Sequence, residues 1–498
     1  MNGALAVAPV LVPLLTAALT VALARRPRRQ RAASMGGALA LFLCCAWLLH
    51  GAIGGSETAV RFGGWAAPFA IGFRIDRAAA LMLTVNSVLA LAALAYPARG
   101  GVLAAPSGPP LVHGLLAGAG GAYATADLFN LYVWFEVMLI TALGLIVAGR
   151  RPAHLEAGLK YLVLNLFGTV LLLAAVGGLY GVTGQLDYGA LGAALSDHGD
   201  DPLALFFGAL LLVGLLIKMG AFPFLFWLPA AYPALPPPVL ALFTALTTKV
   251  GAYVVLRLLN EVFPSGAHAY AQGLGWIAAA TMLAGVMGAV YHYDLRRILS
   301  FHSVSQMGYI LLAAALGGVA GIAAALFFSI HHILVKANLY LIGGMVARSG
   351  GHHDLRRIGG LARSDRALAA LFALSAAALV GIPPLSGFWA KLLILREGFD
   401  QERHLWMAVA LFTSSLTLLS MAKIWIEAFW KPHPAAPAGA PSAASPVAAP
   451  PAHPRGAWLA CGTLSLLALA MGLLPGPLID FLYAAAGAIA APAAGGAP

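Results

Sequence analysis

A chain of 498 residues in which 61% are hydrophobic and 9% charged, with a mean hydropathy of +0.87, holds more apolar length than a soluble core needs, and this leaves a polytopic membrane protein. The net charge of +11 does not indicate nucleic acid as a partner, because the basic residues lie in short loops between apolar runs rather than on one surface. Cys44, Cys45 and Cys461 offer neither a disulfide framework nor a metal-ligand or cluster-binding spacing, and no GxxxxGK(S/T) phosphate loop occurs, so no metal and no other cofactor is expected.

Apolar runs long enough to cross about 30 Å of hydrocarbon predict an all-α chain of about fourteen transmembrane helices. They lie near 4–24, 35–54, 78–98, 109–126, 129–148, 160–182, 203–228, 236–258, 273–293, 298–316, 319–347, 367–396, 405–430 and 457–486. The first run has no basic segment before it and is followed by Arg25-Arg26-Pro27-Arg28-Arg29-Gln30-Arg31, so it reads as an anchor rather than a cleaved signal. That basic block belongs in the cytoplasm. Alternating the loops outward from it puts roughly eighteen Lys/Arg on its side and about five on the other, so both termini are expected outside the cytoplasm. Residues 431–456, rich in Pro, Ala and Ser, read as an extended cytoplasmic linker ahead of a C-terminal helix and tail, 457–498.

Two runs carry helix breakers: the seventh at Met219-Gly220-Ala221-Phe222-Pro223, the twelfth at Gly381-Ile382-Pro383-Pro384-Leu385-Ser386-Gly387. Backbone freed at membrane depth is tolerated only where protein or water satisfies it, and paired broken helices point at a transport site. The breaks lie five runs apart, an odd number, so equivalent positions in two repeats require the repeats to be inverted. The expected organisation is N-terminal helices in 1–108, then two inverted five-helix repeats, 109–258 and 273–430.

Ionisable groups inside apolar runs are costly unless they face a partner or a wet cavity. Glu136, Lys218, Lys249 and Lys336 are such groups, and Lys391 is a fifth. Lys218 comes just before the first break and Lys391 just after the second. A buried lysine loses proton affinity by desolvation and regains it beside a carboxylate, so moving one anion switches it between holding and releasing a proton. Glu136 is the carboxylate placed deep enough to be that anion; the bland alternatives are snorkelling or a static ion pair. His332 and Lys336 stand four residues apart on one helix face, and imidazole can relay protons. His331 and His302 are further relay candidates. His352, His353 and Asp354 beside Arg356 and Arg357 read as a solvated loop, not a metal site.

These residues carry a resemblance. Asp127-Leu128-Phe129-Asn130-Leu131-Tyr132-Val133-Trp134-Phe135-Glu136 and Lys160-Tyr161-Leu162-Val163-Leu164-Asn165 resemble the D-type subunits of Mrp-type multisubunit sodium/proton antiporters. The run Lys218 to Pro229, Thr247-Thr248-Lys249-Val250-Gly251-Ala252-Tyr253, Ser300 to Tyr309, His331 to Lys336 and Gly381 to Lys391 are similar to the wider superfamily, which includes the proton-pumping subunits of respiratory complex I and membrane-bound hydrogenases. The resemblance covers residues 70–430. It implies that Glu136 tunes the proton affinity of Lys218, that Lys249, His332 and Lys336 continue a central hydrophilic axis, and that Lys391 serves a second half-channel.

The expected function is that of a multi-pass inner-membrane subunit, not an enzyme, in a multisubunit monovalent cation/proton antiporter. Its partners would be other membrane subunits, protons, sodium or potassium, and the lipid bilayer. One alternative is a proton-pumping subunit of a quinone- or ferredoxin-linked complex; another is a structural subunit whose lysines only pair.

Overall fold

The computed structural model describes residues 2–64, 71–97, 102–149, 151–198, 201–263, 267–434 and 452–491. The chain begins with α1 (Asn2–Ala6), α2 (Ala8–Ala22) and α3 (Pro27–Ile53). A short hairpin follows, β1 (Thr58–Arg61) antiparallel to β2 (Gly72–Ile75) with Thr58 opposite Ile75 and Arg61 opposite Gly72. This small sheet is an addition to the expected all-α chain; its strands are too short for a hydropathy window to register. Then come α4 (Arg77–Ala95), α5 (Gly108–Ala124), α6 (Leu128–Val147), α7 (Pro152–Thr183), α8 (Tyr188–His198), α9 (Pro202–Met219), α10 (Trp227–Ala231) and α11 (Pro237–Arg257). The C-terminal half holds α12 (Ala267–Tyr291), α13 (Leu295–Leu316), α14 (Gly318–Gly350), α15 (Leu361–Ser364), α16 (Arg366–Val380), α17 (Ser386–Asp400), α18 (His404–Ile424), α19 (Arg455–Leu473) and α20 (Pro475–Ala490).

Among the described residues, 11 helices are long and apolar enough to cross a membrane, with shorter apolar helices at Ala8–Ala22, Arg366–Val380 and Pro475–Ala490. The expected last run, 457–486, divides at Leu474 ahead of Pro475 into α19 and α20. Gly317 at positive φ separates α13 from α14, whose first residue, Gly318, is also at positive φ. Most of the linker, 435–451, lies outside the described residues.

Aspartates just outside the apolar runs start the helices. Asp76 accepts from the Ala79 N–H at the start of α4, Asp127 from Asn130 at α6, Asp294 from Arg296 and Arg297 at α13, and Asp365 from Leu368 at α16. Each satisfies backbone donors left free by the first helical turn. At the centre, α11, α13 and α14 are buried nearly all round, whereas α3, α6, α7 and α18 each leave an apolar face exposed. An apolar helix enclosed by others can carry polar groups only where neighbours satisfy them, so the central three are where titratable side chains become informative.

Asp127 also sits against Asp187 in an isolated antiparallel bridge, and burial followed by the Asp187 charge pushes its carboxyl up to about 6 despite the Asn130 cap. The folded chain then holds this proton more tightly than the unfolded chain does. Stability is therefore greatest at low pH and falls as pH rises from 3.8 to about 6, by about 3 kcal/mol at most. Asp127→Asn keeps the capping oxygen and is expected to flatten that window in thermal-unfolding scans against pH. An unchanged slope would show that Asp127 is not its source.

Candidate functional site

Both breaks are built alike. α9 ends at Met219 with Gly220 at φ 66°, and a cis Phe222-Pro223 bond precedes α10; α16 ends at Val380 with Gly381 at φ 94°, and a cis Pro383-Pro384 bond precedes α17. Carbonyls at the turns find side-chain donors. Trp227 Nε1 donates to Ile217 O at 2.9 Å in the first, alongside the Gly220 N–H at 3.1 Å, and Lys391 Nζ donates to Val380 O at 2.6 Å in the second. Protein groups thus replace the water that the membrane interior lacks.

Lys218, 5% exposed, donates to Thr169 Oγ1 at 2.5 Å and to Asn165 O at 3.1 Å, both on α7, and its ammonium lies 5.5 Å from the Phe135 ring centroid. Glu136, next to Phe135, is within electrostatic reach of Lys218, but the two make no direct ion pair and Glu136 Oε1 has no hydrogen-bond partner. The carboxylate is half-buried while the lysine is turned towards α7. A pair separated in this way can change its coupling by a side-chain rotation, whereas a closed salt bridge must first be broken.

Lys249 and Lys336 are both 0% exposed. Lys249 donates to the neighbouring Thr248 Oγ1 at 3.0 Å; Lys336 donates to Leu299 O at 2.5 Å and lies 5.0 Å from the Tyr340 ring centroid. His332 feels both charges, and neither of its ring nitrogens has a hydrogen-bond partner. His302 meets Ser420 Oγ at 3.0 Å and His331 Nδ1 meets Ser386 Oγ at 2.9 Å, each leaving its other nitrogen unpartnered. Ser386 is the first residue of α17, so His331 touches the second break directly. Lys391, 7% exposed, is within electrostatic reach of His331 and His302, and its ammonium stands 5.3 Å from the Tyr309 ring centroid. Lys249, His332, Lys336, His302, His331 and Lys391 are therefore electrostatically connected, with Lys423 joined through His302, while Glu136 is in reach of Lys218 and of the buried Tyr161.

Three features escaped the sequence. Lys423, on α18, donates to the carbonyls of Val290 and His292 at 2.5 and 2.6 Å, where α12 ends. Gln306 on α13 is buried with both amide atoms unpartnered. The largest is an ion cluster at the end of α11, where Arg257 pairs with Asp76 at 2.5 Å and with Glu261, and Arg74 of β2 pairs with Glu261. Arg257 inside the run 236–258 was its only sequence signal, and the end of a run ordinarily reads as snorkelling. His353 and Asp354 lie in the loop after α14, where Asp354 pairs with Arg356 at 3.0 Å.

Residues 125–417 match the family model described as NADH:quinone oxidoreductase/Mrp antiporter, transmembrane. A Na(+)/H(+) antiporter D-type subunit from Alkalihalophilus pseudofirmus is 36% identical over 431 residues, 86% of this chain and 87% of that protein. A chain in the structure of the Mrp complex from Dietzia sp. DQ12-45-1b superposes with a TM-score of 0.90 at 34% identity, over 99% of this chain and 98% of that one. A chain of respiratory complex I from Thermus thermophilus gives a TM-score of 0.77 at 24% identity over 95% and 98%, and so shares the fold. By the extent of these matches, the chain belongs to the NADH:quinone oxidoreductase/Mrp antiporter membrane family and, within it, to the group of D-type antiporter subunits.

Proposed function

We propose that this chain is the proton-carrying D-type subunit of a multisubunit monovalent cation/proton antiporter in the cell membrane, with both termini outside the cytoplasm. Glu136 sets the proton affinity of Lys218; Lys249, His332 and Lys336 form the central axis, His331 and His302 assist it, and Lys391 serves the far half-channel. Residues 109–258 and 273–430 are its two inverted repeats, supported by the like build of their breaks. One observation carries the reading: Lys249 and Lys336 are fully enclosed on central helices with no carboxylate partner among the described residues. A static structural ammonium would be paired, since an uncompensated buried charge costs several kcal/mol; one that gives up its proton need not be. The unpartnered nitrogens of His332 and the amide of Gln306 are groups that a short chain of water molecules would complete.

Sodium and potassium prefer oxygen ligands, and coupling requires that a cation site distinguish two states of the proton path. We place that site on, or shared with, partner subunits. A pH-gradient dequenching assay is expected to show cation-driven exchange with the intact complex and little or none with this subunit alone. Robust exchange by the isolated subunit, lost on Glu136 substitution, would put the cation site in this chain, near Pro223 or Pro384. Copurification with cluster-binding redox proteins would instead make the chain a pump subunit of a redox complex.

A further inference from the structure

A cavity of about 570 Å³ opens where α7, the first break and α13 meet, and nothing in the proton-transfer reading uses it. Its charged lining is almost all basic: Arg151 and Lys160 from α7 and the turn before it, Arg296 and Arg297 from α13. Lys160 is held by Glu156 at 2.5 Å and Arg296 by Asp294 at 3.1 Å. Arg151 and Arg297 have no ion-pair partner among the described residues, and both are exposed. His154 lines the same cavity with Nδ1 buried and unpartnered. Burial and the nearby Arg297 hold His292, another lining residue, below its usual range, so it adds no charge to the pair near neutral pH.

The apolar half is equally defined. Phe226, 66% exposed, and Phe301 line the cavity, and the exposed Val163, Phe167 and Val170 follow Lys160 at helical spacing along α7. Two free guanidiniums above an apolar stripe match a phosphate above acyl chains, and arginine recognises phosphate oxygens in a bidentate manner. An inorganic anion would leave the stripe uncovered, and a zwitterionic headgroup would bring its own ammonium into a lining that already holds Arg151, Lys160, Arg296 and Arg297.

We propose that this cavity is a binding site for the headgroup of an anionic diacyl phospholipid, whose acyl chains run down the exposed face of α7. The test uses the intact complex in nanodiscs of phosphatidylethanolamine with phosphatidylglycerol, with Phe226 replaced by photoreactive benzoylphenylalanine. Irradiation is expected to attach phosphatidylglycerol well above its share of the bilayer. Arg151→Gln with Arg297→Gln should lower that capture by about fivefold per arginine, while Arg151→Lys with Arg297→Lys should retain most of it. Capture in proportion to bilayer composition, or cross-linking to a neighbouring subunit in place of lipid, would overturn the proposal. The crosslink with both arginines present decides the matter even if the glutamine variant does not assemble.

Discussion

Lys218→Ala is expected to lower cation-driven proton exchange by the intact complex about a hundredfold or more, and Glu136→Ala to do the same. Lys218 is the ammonium enclosed at the first break, and Glu136 is the carboxylate within its electrostatic reach. Alanine at 218 removes the group proposed to carry the proton and frees Thr169 Oγ1 and Asn165 O, which can still bond within their own helix: Thr169 Oγ1 already does so to Asn165 O at 2.8 Å. The fold should therefore survive. Alanine at 136 leaves the ammonium without its anion, at a local cost of a few kcal/mol, so assembly must be followed separately on native gels. Exchange is read in inverted vesicles after a sodium or potassium pulse. Wild-type exchange by either assembled variant would remove this pair from the proton path.

At the second break the expected results separate charge from proton transfer. Lys391→Ala should stop exchange, and Lys391→Arg should fail about as badly, because a guanidinium keeps its charge but does not release a proton. Lys391→Glu should differ from both, since it restores a titratable group of opposite charge. The geometry sharpens this contrast: Lys391 Nζ satisfies Val380 O, a carbonyl freed by the break, and arginine can also donate there. A structural role would thus be rescued by arginine, and a relay role would not. Near-normal exchange by Lys391→Arg, measured beside assembly, would mean that Lys391 only closes the turn.

A membrane chain exposes much of its design in one dimension. Apolar length makes a helix in hydrocarbon almost irrespective of neighbours, because every backbone group must be paired within its own segment. The spans beginning at Arg77, Leu128, Leu295 and His404 accordingly start within a few residues of the expected runs. Charges at membrane depth are equally conspicuous, so Glu136, Lys218, Lys249, Lys336 and Lys391 could be named from the residue order alone, as could the breaks beside Pro223, Pro383 and Pro384.

What each charge touches could not be read in that way. Lys218 finds Thr169 and Asn165, 49 and 53 residues earlier in the chain, rather than a direct contact with Glu136, and Lys336 finds a carbonyl of α13. The Arg257 cluster joins β2, the start of α4 and the end of α11, three segments that hydropathy treats as unrelated. The last apolar run became two helices at Leu474, and a hairpin formed where no window could detect one. Helix formation depends on a segment's own hydrogen bonds and its burial of apolar surface, both local properties. Partner choice depends on which helix faces pack together and how far a flexible lysine reaches. Only the assembled bundle decides that: it brought Lys249, Lys336, Lys391 and three histidines into one connected group, Glu136 within reach of Lys218, and Arg257 against Asp76 and Glu261.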